Sequence, residues 1–340
     1  MKSLQEKLET LQEEIQFSGT VLVTQGGDEI FNASYGYANR NDKIENLRNT
    51  KFGIASGCKI FTSVAICQLV EQGKVEFQTK LKDILSIDFP HFDSNITVHH
   101  LLTHTSGVPD YFDEEVIKDF EELWMRVPMY QIRSLKDFLP LFQNHKMKYP
   151  AGERFSYNNS GYILLGLIVE ELSGRSFDEY VLEHIFKPAG MKDSGYFELD
   201  RLPARSAIGY IDFEDGRWKS NIYSIPVKGG SDGGAFVTAP DMLKFWRALT
   251  SYSLLNKENT DWLLSIHETV EDSISYGYGI WIEDDGQTRQ YILMGYDPGV
   301  NFRASFYPKQ DLQIVVCSNG SSGAYKVISL IQDELLHQNK

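Results

Sequence analysis

Strand patterns lie at the two ends of this 340-residue chain, and helical patterns fill its middle. Residues 18–24 (SGTVLVT), a Gly26-Gly27-Asp28 turn and residues 29–37 read as a β-hairpin. Late in the chain, 277–283 (GYGIWIE), 289–294, 303–307 and 313–318 (QIVVCS) are β-branched or aromatic runs separated by turns. Between these groups, apolar residues recur at helical spacing over 60–72, 98–103, 161–172 and 177–185. Ser106-Gly107 and Ser173-Gly174 supply stop signals. An amphipathic stretch over 1–16, with Leu4, Leu8, Leu11 and Ile15 on one face, opens the chain, and a helix over 325–337 closes it. The pattern predicts an α+β fold in which both ends of the chain build one antiparallel sheet, flanked by the N- and C-terminal helices. Residues 1–55 and 225–340 form that part, and 56–224 form an inserted, mainly helical domain. The aromatic-rich segment 109–149, with Tyr111, Phe112, Trp124 and Tyr130, reads either as a lid or as ordinary helical packing. A site is expected in the cleft between the two parts.

Composition narrows the chemistry by exclusion. A net charge of −14 argues against nucleic acid and anionic lipid as partners. No tract of about 20 apolar residues is present to form a membrane span. The first residues lack the apolar run and small-residue cleavage site of a secretory signal, so the expectation is a cytoplasmic protein, or an exported one whose leader was removed. Cys58, Cys67 and Cys317 are an odd number without metal-ligand spacing and read as buried small hydrophobes. His99 and His100 are adjacent, so they point to different faces of a helix and make poor joint ligands. No metal or organic cofactor is implied.

Ser56-Gly57-Cys58-Lys59 stands where an extended segment (50–55) runs into the helix over 60–72. Residues three apart share a helix face, so hydroxyl and amine can meet at a helix start, where free N–H groups favour negative charge. A serine with its own base there can act as a nucleophile. Ser-x-x-Lys arises about once in a chain this long by chance, so its company decides. Tyr157 and Asn159, in PAGERFSYNNSGY before an apolar helix, can add a proton carrier and an amide, although Asn159 also reads as a helix cap. The same Tyr-x-Asn spacing at Tyr37 and Asn39 is explained by turn packing. A cysteine nucleophile at Cys58 would need a histidine partner, and none is near in sequence. His104 reads as a packed, hydrogen-bonded histidine at a helix end. The run 229–234 (GGSDGG) lacks the phosphate-cradle pattern.

Four ordered blocks carry a family resemblance: FSGTVLV at 17–23 with GYANR at 36–40, FGIASGCK at 52–59, LLTHTSG at 101–107 and YNNSGYILLG at 157–166. Together they resemble the serine β-lactamase and penicillin-binding protein superfamily, specifically the class C β-lactamase-like branch with its esterases and D-amino-acid peptidases. The resemblance implies a β-lactamase/transpeptidase-like fold, with Ser56 as acylated nucleophile and Lys59 as its proton acceptor or electrostatic activator. It makes Tyr157 the second acid and base, and has Asn159 hold Lys59 and the substrate amide. For Lys59 to serve as base, its pKa must fall from about 10.4 toward neutrality.

The family's third motif, Lys-Thr-Gly or His-x-Gly, corresponds here to Leu293-Met294-Gly295. The glycine survives, which suits close approach by substrate, and the backbone N–H of Tyr296 can join that of Ser56 as an oxyanion hole. The cation is gone and a leucine offers an apolar wall. Losing a charge-assisted hydrogen bond to a substrate carboxylate costs roughly 1.5–3 kcal/mol. The implied protein is a serine hydrolase working through an acyl-enzyme on a small ester or peptide-like amide, with weak or no β-lactamase activity. Its implied partner is a small-molecule ester, peptide or β-lactam-like substrate. The alternative is a non-catalytic or very slow acyl- or penicillin-binding protein.

Overall fold

The structure is a computed structural model and describes residues 3–113, 120–125 and 127–336. Met1, Lys2, His337 and parts of the 109–149 segment (114–119 and 126) lie outside the described residues. Helix α1 (Leu4–Ile15) begins at a capping box in which the Ser3 hydroxyl accepts from the Glu6 N–H and the Glu6 carboxylate accepts from the Ser3 N–H. Strands β1 (Gly19–Gln25) and β2 (Asp28–Tyr35) form the expected hairpin. Then come α2 (Lys59–Glu71), α3 (Val98–Leu102), α4 (Phe120–Trp124), α5 (Asn159–Ser173), α6 (Phe177–Val181), α7 (Ala239–Thr250) and α8 (Lys257–Leu263). Strands β3 (Glu268–Glu271), β4 (Ile274–Tyr276), β5 (Trp281–Asp284), β6 (Arg289–Asp297), β7 (Val300–Tyr307) and β8 (Leu312–Ser318) follow, and α9 (Ala324–Leu336) closes the chain.

Among the described residues the sheet has eight strands, all paired antiparallel, in the order β2-β1-β8-β7-β6-β5-β4-β3. The first and last strands are neighbours in register from Gly19↔Ser318 to Gln25↔Leu312. Side chains alternate across the sheet, so its central strands β1, β7 and β8 serve two cores. Val21, Val23, Ile314 and Val316 face α1 and α9, where Leu8, Val327, Ile328 and Ile331 cover them. Leu22, Val315, Cys317, Phe302 and Phe306 face the other way, into the main core with α2, α5 and α7. Helix α2 is buried on every side from Lys59 to Leu69, the mark of a helix apolar all round. Among the described residues no helix is long and apolar enough to cross a membrane.

The sequence reading missed α7, α8, β3 and β4. The start of α7 was legible: the Thr238 hydroxyl accepts from the Asp241 N–H and Pro240 stands in the first turn. The expected strand over 277–283 splits instead. Gly277 to Ile280 make a turn (Gly277 N–H to Ile280 O, 2.9 Å), and only Trp281–Asp284 is extended. A Cβ on Gly279, at φ 73°, would lie 2.8 Å from the Lys59 carbonyl oxygen, so this turn presses on α2. Within 109–149, Ile132, Leu135, Phe138, Leu139 and Phe142 belong to the main core.

Residues Phe52–Gly53 pair with Phe236–Val237, and Ala55–Cys58 then form a 3₁₀ turn that leads into α2. This turn lies against the sheet at Gly295 and Phe302. A Cβ on Gly295 would sit 2.0 Å from the Ile54 carbonyl oxygen and 2.8 Å from the Gly57 nitrogen. The glycine is therefore demanded by the chain's own backbone, whereas the sequence reading assigned it to substrate approach. Gly295→Ala is expected to destabilise the protein by about 1–3 kcal/mol through this overlap, read as a lower urea midpoint. An unchanged midpoint would show that the turn is not pressed on the sheet.

Candidate active site

The 3₁₀ turn explains why a serine and a lysine three residues apart meet. At three residues per turn, positions i and i+3 eclipse, more closely than in an α-helix. Lys59 Nζ donates to Ser56 Oγ at 3.0 Å. Ala55, just before the serine, is held at φ 45°, and Gly234 N–H donates to its carbonyl at 3.2 Å. Ser56 is partly exposed while Ala55, Gly57, Cys58 and Lys59 are buried.

Lys59 is only 1% exposed. Its ammonium donates to Ser56 Oγ, to Asn159 Oδ1 at 2.8 Å and to the Asp232 carbonyl at 2.7 Å. It also lies 4.8 Å from the Tyr157 ring centre. Three acceptors around one nitrogen suit the charged form, which has three N–H bonds to give. Burial pulls the amine's pKa down, but the Tyr157 phenol and the Asp232 carboxylate outweigh burial and leave it above the ordinary lysine value. The fall toward neutrality that a lysine base would need is absent, because the Tyr157 and Asp232 groups hold the shift in the other direction.

Tyr157 is fixed by the backbone on both sides of it. Ser156 N–H donates to the His104 carbonyl at 2.9 Å, and Asn158 N–H donates to His104 Nδ1 at 3.0 Å. That second bond puts the imidazole proton on Nε2, which lies 3.0 Å from the Tyr276 hydroxyl. His104 is buried at φ 59°, and burial followed by the Lys59 charge lowers its pKa well below the usual value, so it is neutral. Its ring packs 4.4 Å from that of Tyr157, centre to centre, and Trp281 stacks at 6.2 Å. The histidine is thus hydrogen-bonded packing, in line with its sequence reading. Asn158, not Asn159, caps α5: its backbone is extended and its Oδ1 accepts from the Gly161 N–H at 2.7 Å. That leaves the Asn159 amide for Lys59.

Two carboxylates escaped the sequence reading. Asp110 accepts at one oxygen from the Asn159 N–H (3.0 Å) and Nδ2 (3.3 Å), and at the other from the Ser160 N–H (3.0 Å) and hydroxyl (3.3 Å). It therefore orients the amide that holds Lys59. Burial pushes its pKa up to about 7, against the pull of the Asn159, Ser160 and Phe112 N–H groups and the Lys59 charge. Asp232, 4% exposed, accepts from the Tyr111 hydroxyl at 2.5 Å, and burial raises its pKa as well. An acid after a proline and another among glycines both read as turn residues, so no signal in the sequence separates them from loops.

A cavity of about 380 Å³ opens on this cluster. Ser56, Asn159, Tyr296 and the glycines of 229–234 line it, as do Tyr111, Phe112, Leu123 and Trp124 from the 109–149 segment. Leu293 does not form the expected wall: it is 2% exposed and belongs to the main core. Pairing with β5 ends at Ile292, so Leu293 to Asp297 run on beside β7. Cys58 is buried and its thiol is pushed up to about 11 by burial, the state of an inert thiol. Tyr37 is 41% exposed and belongs to a separate two-stranded ladder. His99 bonds the Tyr278 hydroxyl while the His100 ring accepts from Thr97 N–H, so the two diverge.

Residues 4–336 match the family model described as Beta-lactamase, and the chain belongs to the beta-lactamase family. A penicillin-binding protein from Bacillus halodurans of known crystal structure is 57% identical, with a TM-score of 0.93 over 96% of this chain and 100% of that one. Penicillin-binding protein 4* of Bacillus subtilis is 30% identical over 310 residues, which are 86% of this chain and 65% of that relative's length. D-amino acid amidase from Ochrobactrum anthropi SV3, 20% identical with a TM-score of 0.82 over 99% of this chain and 100% of that one, shares the fold. The chain is thus a beta-lactamase-family member and a penicillin-binding protein homologue.

The raised Asp110 value fixes the sign of a stability test. Its folded pKa lies above the free carboxylate's 3.8, so the folded state holds the proton longer and stability falls as pH climbs from about 4 to about 7. Asp110→Asn removes that proton. Its stability should therefore fall less steeply over this window, by up to about 1.4 kcal/mol per pH unit before screening at the residue's open side. Parallel urea titrations at pH 4, 5.5 and 7 measure it, and identical slopes would contradict the assignment.

Proposed function

We propose that the protein is a hydrolase that forms an acyl-enzyme on Ser56 from a small ester or a neutral, peptide-like amide. The observation that carries this reading is the buried ammonium of Lys59, which gathers Ser56, Asn159 and Tyr157 beside an open cavity. A fixed cation beside a phenol favours the phenolate, so the base is Tyr157 and Lys59 is its electrostatic partner.

The steps follow from those roles. Ser56 Oγ attacks the carbonyl carbon and its proton passes to the Tyr157 oxygen. The carbonyl π pair moves onto oxygen, and the backbone N–H groups of Ser56 and Tyr296 receive that oxyanion. Collapse breaks the bond to the leaving alkoxide or amine, which takes the proton from Tyr157. Water then attacks the acyl-enzyme, Tyr157 accepts its proton, and Ser56 departs with that proton restored. Asn159 holds Lys59 through Oδ1, while its Nδ2 donates to Asp110 and to the Phe112 carbonyl.

Among the described residues, no Lys, Arg or His lines the cavity. A substrate carboxylate has no charged partner there, which argues for weak or absent β-lactam turnover. The names of the relatives keep penicillin binding in view, and the same serine would carry that adduct.

With a chromogenic short-chain ester, sustained turnover that is lost in Ser56→Ala is expected. A burst equal to enzyme concentration followed by negligible turnover would instead favour the slow acyl-binding alternative. Tyr157→Phe should lower kcat by about 10²- to 10⁴-fold, the usual worth of a positioned acid–base group. A loss below tenfold would return the base role to Lys59.

A further inference from the structure

The cavity stops short of the proton carrier Tyr157 and its partner Lys59. Neither Lys59 nor Tyr157 lines it, although Ser56 and Asn159 do. The leaving group must receive its proton from Tyr157, so it departs on the Tyr157 side of the scissile bond. The part of the substrate that stays on Ser56 is then the part that fills the cavity.

The walls define what can stay. Phe112, Leu123, Trp124 and Phe138 form a largely buried apolar end, and Trp218 and Ile222, 40% and 43% exposed, stand at the mouth. The two sides are fastened together. Trp124 Nε1 donates to the Ser224 carbonyl at 2.9 Å, and Glu121 accepts from the Ser224 hydroxyl at 2.9 Å and pairs with Lys219. The volume lies within the range of about 300–1,000 Å³ typical of small-molecule sites. An acetyl group would leave most of it empty. The only charged lining residues among those described are carboxylates, Asp232 and Asp297.

We infer that this cavity is an acyl-group pocket selecting an uncharged, bulky apolar acyl moiety, aromatic or branched, and rejecting acyl groups that carry a carboxylate. The inference rests on the acyl-enzyme reading for its orientation. Each methylene moved from water to such a wall is worth about fourfold in kcat/KM. A carboxylate would be desolvated beside two others with no cation to meet it.

The test holds the leaving group constant and varies the acyl group: 4-nitrophenyl acetate, pentanoate, phenylacetate and hemisuccinate. Phenylacetate should exceed acetate in kcat/KM by at least tenfold, and hemisuccinate should fall at least tenfold below pentanoate. Trp218→Ala and Ile222→Ala, at exposed positions, should each reduce the phenylacetate-to-acetate ratio threefold or more. A flat series, or a preference for the hemisuccinate, overturns the proposal. Ligand-observed NMR titration of Ser56→Ala with phenylacetamide, acetamide and succinamate gives a readout without turnover. Tighter binding of phenylacetamide, weakened by Trp218→Ala, supports the pocket even if no ester is hydrolysed, in which case the hydrolase reading alone fails. Equal binding of the three sinks the pocket and leaves that reading standing.

Discussion

One buried ammonium organises the centre of this protein. Lys59 draws together the turn before α2, the first residue of α5 and the glycine-rich segment at Asp232, positions 100 and 173 residues from it in the chain. A charge removed from water is tolerated only with its hydrogen bonds complete, and removing one partner of a buried charge costs about 3–5 kcal/mol. The cluster is consequently a structural joint as well as a chemical one. The residues around it answer to that demand: Asp110 orients Asn159, His104 pins the loop of Tyr157, and the Gly279 turn lies close to the Lys59 carbonyl.

The fold was largely legible because its signals are local. The β1–β2 hairpin, the long helices α2 and α5, and the strands β6 to β8 all follow from side-chain period and turn residues. Strands β3 and β4 are short, at four and three residues, and so carry little pattern. The α7 cap at Thr238 is, by contrast, a local signal. The site was legible in a different way. The Ser56–Lys59 spacing and the Tyr157–Asn159 pair could be read as chemistry, but only the ordered blocks of the family resemblance linked them.

What the sequence could not yield were properties of the assembled interior. Whether Asn158 or Asn159 caps α5 depends on which side chain has another partner, and that partner is Lys59. The direction of the Lys59 shift depends on the Tyr157 phenol and the Asp232 carboxylate, both supplied from distant segments. Gly295 illustrates the same point. Its small size was read as room for a ligand, and the room is occupied by the carbonyl of Ile54. Leu293 likewise faces the core because strand alternation, not motif position, sets the direction of its side chain.

The pairing of β1 with β8 brings residues 19 and 318 into register, and β8 in turn supports β7 and β6 beneath the serine turn. Contacts this distant along the chain give a high contact order, and loop closure must precede the energy they return. During synthesis the β1–β2 hairpin must therefore wait for its neighbour until residues 312–318 have left the ribosome. Until then its inner edge is an open ladder, the kind of surface that pairs with other chains. The nucleophile's platform is thus completed only after the helices between its two halves have been made.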